Sequence, residues 1–107
     1  MKFAKTIKLF LIDGDSNGRI SCELSNWTGK AYKIPRNLIK NCDDRSELNS
    51  TGVYLLIGKN SDLEITVYIG EADGILKRLQ QHKEKDFWQE AIAIVSKDEN
   101  LTQQPPT

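Results

Sequence analysis

Four residues in the second half of this 107-residue sequence have side chains suited to chemistry on a phosphodiester: Tyr54, Tyr68, Arg78 and His82. An arginine presents a planar fork of donors to a phosphate whose charge changes in the transition state. A histidine or tyrosine can move a proton near neutral pH when its surroundings tune its pKa. Arg78 and His82 are four residues apart, so a helix carrying them sets one above the other on the same face. Simpler readings exist for both pairs. Facing tyrosines on neighbouring strands can be a packing pair worth ~0.2–1 kcal/mol, and Arg78 with His82 can be a solvated helix edge.

The elements that position these residues follow from local pattern. Residues 52–58 (GVYLLIG) and 64–70 (EITVYIG) are rich in β-branched and aromatic types and predict two strands joined by the polar loop KNSDL. Symmetric pairing about that loop places Tyr54 opposite Tyr68. It sets Val53, Leu55 and Ile57 with Ile65, Val67 and Ile69 on the other face, which is expected to be buried. Residues 73–84 predict an amphipathic helix, with Asp73 as N-cap and an apolar stripe of Ile75, Leu76 and Leu79. Arg78 and His82 then border the stripe, where helix meets sheet. Residues 86–90 turn the chain, with Phe87 and Trp88 as core or interface anchors, and 91–97 predict another strand.

In the first half, residues 5–12 and 19–25 predict a hairpin about the turn 13–18, with Ile20, Cys22 and Leu24 pointing one way and Arg19, Ser21 and Glu23 the other. Residues 30–34 predict a short strand, Pro35 opens a short helix over 35–41, and 41–51 are a polar connection. The loop Asp13–Gly18 resembles the start of an EF-hand, but its twelfth position is Leu24 and its flanks are strand-like, so a hairpin turn is expected. Trp27, Lys30, Tyr32, Lys33, Arg36 and Lys40 form a basic, aromatic segment that either contacts a nucleic-acid backbone or is a mixed surface around one core aromatic.

Composition narrows the classes. The length suits one domain. Fifteen basic residues balance fifteen acidic ones, so no overall basic charge argues for nucleic-acid binding, although a local basic groove remains open. No run approaches the ~20 apolar residues of a membrane span. The apolar N-terminal run is broken at Asp13 without a small-residue cleavage site, which points to a strand in a cytoplasmic protein. Cys22, Cys42 and His82 are too few and too scattered for a structural zinc site, and both thiols are expected to pack in reduced form.

Gly52-Val53-Tyr54 followed by Tyr68-Ile69-Gly70 resembles the paired motif that names the GIY-YIG nuclease superfamily. As in that family, an Arg stands ten residues after the second Tyr and a His four later, here in YIGEADGILKRLQQH. The resemblance covers about residues 51–97; the first half is similar to an N-terminal extension of bacterial members. It implies an α/β (α+β) fold, a central antiparallel three-stranded sheet with flanking helices, preceded by an N-terminal β-hairpin extension. The organisation would be an extension over 1–50, a nuclease core over 51–100 and a disordered tail over 101–107.

The resemblance also implies hydrolysis of DNA phosphodiesters with Mg2+ or Mn2+. Tyr68 or Tyr54 would position or deprotonate the attacking water, Arg78 would stabilise phosphate charge, and His82 would assist proton transfer or hold a tyrosine. Gly70 and Lys77 would contact substrate. In the family a Glu on a helix after the third strand holds the cation. Here DENLTQQPPT has no room for that helix, and Glu99 comes too early. The expectation is therefore a truncated or inactive chain with an incomplete ligand set, whose exposed sheet could be covered in a homodimer. The alternative is a catalytically silent module that binds DNA or protein on the same scaffold.

Overall fold

The computed structural model describes residues 4–96. Six strands are present: β1 (Ile7–Leu11), β2 (Ile20–Leu24), β3 (Gly29–Pro35), β4 (Gly52–Lys59), β5 (Ile65–Ala72) and β6 (Glu90–Ser96), with one α-helix, α1 (Ile75–His82). They form one antiparallel sheet in the order β1-β2-β3-β6-β4-β5, so the fold is α+β. β3 pairs with β6 over its whole length, from Gly29 with Ser96 to Pro35 with Glu90. The two halves of the sequence therefore share one six-stranded antiparallel sheet. The last eleven residues, and with them the expected tail, lie outside the described residues.

The short helix expected after Pro35 is instead a 3-10 segment, Arg36–Asp44, followed by a second at Ser46–Asn49. Its buried residues, Ile39 and Cys42, are three apart, which matches three residues per turn. The stretch expected to be a polar connection thereby buries Leu48 in the core. α1 is shorter than the sequence suggests. Its N-cap is Gly74, not Asp73, and no side chain caps it; the Ser50 carbonyl accepts from Ile75 N instead.

One side of the sheet carries the core. Tyr32, Ile34, Tyr54, Leu56, Ala93 and Val95 are buried there. Ile39, Cys42, Leu48, Ile75, Leu79 and Trp88 cover them from the 3-10 segments, α1 and the loop that follows it. This reverses two expectations. The aliphatic face of the β4–β5 hairpin is the open one: Ile65 is 66% and Ile69 67% exposed. The face with the tyrosines is the covered one, because α1 packs onto it. Arg19, just before β2, and Ser21 within it turn inward while Ile20 and Cys22 line the open side, only half-buried.

Inward-facing Arg19 is neutralised. Its guanidinium donates to both Asp13 oxygens and to Asp44, and its Nη1 donates to the Asn41 carbonyl. Asp13 is thereby held at a pKa of about 2, chiefly by its hydrogen bonds from Arg19. Since Asp13 serves Arg19 and Ile12 N donates to the Arg19 carbonyl, the EF-hand-like loop is a hairpin turn. The two cysteines are free, and burial pushes the Cys42 thiol up.

Candidate active site

The site gathers on the covered face, at the mouth between β4, β5, α1 and the 83–89 loop. The β4–β5 register is shifted by two residues from the symmetric expectation: Tyr54 pairs with Gly70, and Tyr68 with Leu56. The cause is the loop. Asn60 Oδ1 accepts from both Asp62 N and Glu64 N, and Leu63 takes a left-handed conformation at φ 63. The five-residue loop is thus 60–64 and not 59–63. A shift of two preserves side-chain parity, so both tyrosines still project to one side.

Their rings meet His82. Tyr54 Oη lies 3.1 Å from His82 Nε2. Ring centroids are 6.2 Å apart for Tyr54 and Tyr68, 5.7 Å for Tyr54 and His82, and 5.6 Å for Tyr68 and His82. Tyr54 is 1% exposed and His82 8%, whereas Tyr68 is 46% exposed at the surface end of the cluster. Phe87 packs edge-on against Tyr68 with centroids 6.4 Å apart. Trp88 Nε1 donates to the His82 carbonyl at 3.0 Å and fixes the last turn of α1.

Gly70 has a structural task here. A Cβ at that position would fall 2.5 Å from Tyr54 Oη and 2.6 Å from its Cζ. The missing side chain is the space that lets the phenol lie across the ladder and reach His82.

Burial lowers the His82 pKa, and the charges of Lys85 and Arg78 push it the same way. The ring is therefore neutral near pH 7. Its Nδ1 is buried without a hydrogen-bond partner. Which of the two groups donates in the Tyr54–His82 hydrogen bond follows the imidazole tautomer.

Arg78 does not join the ring cluster. It is exposed one turn before His82 and lines a neighbouring groove of about 390 Å3 with Thr51, Glu71 and Asp73. Its guanidinium has no ion pair or hydrogen bond among the described residues, which leaves its fork of donors open to an anion. Lys77 is exposed beside it. The sequence pointed to a convergence of Tyr54, Tyr68, Arg78 and His82; the structure brings Tyr54, Tyr68 and His82 together and leaves Arg78 in the adjoining groove. The sequence did not reveal the part played by Phe87 and Trp88, although their aromatic types had marked them as anchors.

The basic segment of the first half is largely spent on internal contacts. Lys30 pairs with Glu47 and Glu23, Lys33 with Glu90, and Arg36 stacks on Trp88 while bonding the Lys85 carbonyl. Tyr32 is the core aromatic, and Trp27 covers Gly29.

A hard divalent cation asks for carboxylate or carbonyl oxygens. Among the described residues no three His, Cys, Asp or Glu side chains converge. These residues do not by themselves fit a site for Mg2+ or Mn2+. No helix of the structure is long and apolar enough to cross a membrane. Comparison with protein-family models, with curated proteins and with solved structures finds no match to this chain.

Proposed function

We propose that this chain engages DNA phosphodiesters as a GIY-YIG-type nuclease domain, with strands β6, β4 and β5 as the three-stranded core of that fold. The observation that carries the reading is the Tyr54–His82 hydrogen bond beneath a half-exposed Tyr68, with an unpaired Arg78 one helical turn away. In this reading the Arg78 fork binds a phosphate in its groove, and Tyr68 meets the attacking water. Tyr54 and neutral His82 stand behind it as a pair that can take up or return a proton. Lys77 adds a charge to the same helix face region and strengthens attraction of the DNA backbone. Gly70 keeps the phenol in place, a role distinct from direct substrate contact.

The second reading, DNA binding without cleavage, is favoured by the described residues bringing no three His, Cys, Asp or Glu side chains together. Both are tested by one experiment. The chain is incubated with duplex and branched DNA in Mg2+, in Mn2+ and in EDTA, alongside Arg78→Ala and Tyr68→Phe. Cleavage that both substitutions abolish supports hydrolysis. Binding without cleavage, weakened about tenfold by Arg78→Ala, supports the silent module. No binding, or cleavage that persists equally in both variants, overturns the site.

A further inference from the structure

The open face of the sheet is continuous across all six strands. The register sets Leu11, Ile20, Lys33, Ile92, Leu55 and Ile69 in one transverse row. The next row is Leu9, Cys22, Ala31, Ile94, Val53 and Glu71. Each row is apolar from strand to strand but for a single charge, and none of the helical segments lies on this side.

We propose that this face is the interface of a homodimer in which two copies pack sheet on sheet. Three observations point to a second copy as the occupant. The first is size. Six strands at ~4.8 Å spacing and ~20 Å of strand length give a footprint near 600 Å2, and side-chain relief raises its accessible area toward the ~800 Å2 per partner of a stable interface.

The second is charge. Lys33 and Glu90 lie on the two central strands, 3.2 Å apart and both partly exposed. Opposite charges beside the middle of a face are self-complementary about a two-fold axis, since each copy offers its carboxylate to the other's ammonium. The third is shape. A depression of about 250 Å3 between Leu9, Ile20, Cys22, Ala31 and Ile92 gives a branched side chain of the opposing sheet a place to seat. This inference rests on strand register; Val53 and Glu71, which end the second row, also line the Arg78 groove, so the two readings meet at that edge of the face.

The test is sedimentation velocity of the 107-residue chain up to about 100 µM, with three samples: unsubstituted, Leu9→Lys/Ile69→Lys, and Leu63→Lys. Leu9 and Ile69 are 62% and 67% exposed on the face, so lysine is accommodated in the single copy; Leu63 is as exposed but sits in the β4–β5 loop. The expected result is a species of twice the chain mass that the double substitution converts to a monomer and Leu63→Lys leaves intact. Circular dichroism checks that each variant is folded. Should the double variant fail to fold, amide exchange of the unsubstituted chain at low and high concentration decides. Face-to-face packing leaves the outward amides of edge strands β1 and β5 exchanging alike at both concentrations. A monomer throughout, a dimer that survives both lysines, or concentration-dependent protection of an edge strand, which signals edge pairing, overturns the proposal.

Discussion

Gly70→Ala isolates the role of empty space in the candidate site. The added Cβ would lie 2.5 Å from Tyr54 Oη, inside any van der Waals contact. Tyr54 cannot step aside freely, because it is buried on β4, between β6 and β5, with His82 bonded to its oxygen. Crowding of a packed core by one methyl costs ~1–3 kcal/mol. Displacing the phenol also breaks the Tyr54–His82 hydrogen bond, worth ~1 kcal/mol. Against this, alanine in a strand gains ~0.5–1 kcal/mol over glycine through lost unfolded-state freedom. The clash wins, and the net is about 2 kcal/mol of destabilisation, or roughly 8–16 °C in Tm for a domain of this size. Thermal melting by circular dichroism reads the stability, and nitrogen chemical shifts of His82 read the lost partner. A melting temperature within about 2 °C of the parent, with unchanged His82 shifts, refutes the reasoning.

Two other perturbations follow from the same structure. Trp88→Phe removes the indole donor from the His82 carbonyl and leaves a gap in the core; urea unfolding should show a loss of about 1–3 kcal/mol, with a shifted His82 resonance as the mark of a loosened α1 end. Asp13→Asn removes a carboxylate whose pKa is lowered to about 2 by its hydrogen bonds from Arg19. Its folded pKa lies below the unfolded value, so its contribution is present above about pH 4 and disappears as pH falls toward 2. Urea midpoints from pH 7 to 2 should therefore show a lower starting stability and a flatter acid decline in the variant; parallel curves would count against the Arg19–Asp13 pairing.

The sequence by itself marked the strands, the helix after β5 and the residues of the candidate site. Strand and helix periods are local, so the alternation in GVYLLIG and EITVYIG placed β4 and β5, and the four-residue spacing of Arg78 and His82 placed both on α1. The parity of the two tyrosines survived even a misjudged register, because side chains alternate with period two. The burial of Trp88 was also readable from residue type, whereas that Tyr32 and not Trp27 is the core aromatic of its segment was not.

Which face of the sheet would be covered was not readable. Both faces of the β4–β5 hairpin carry large apolar residues, Tyr54 and Leu56 on one side, Val53, Leu55 and Ile57 on the other. The choice falls to where α1 and the 3-10 segments land, and that depends on contacts between residues distant in sequence. The pairing of β3 with β6, which joins the halves, is likewise a non-local contact with no local signature. The position of Arg78 beside the ring cluster, and not within it, was settled by the way Gly74 and Ser50 seat the start of the helix against β4.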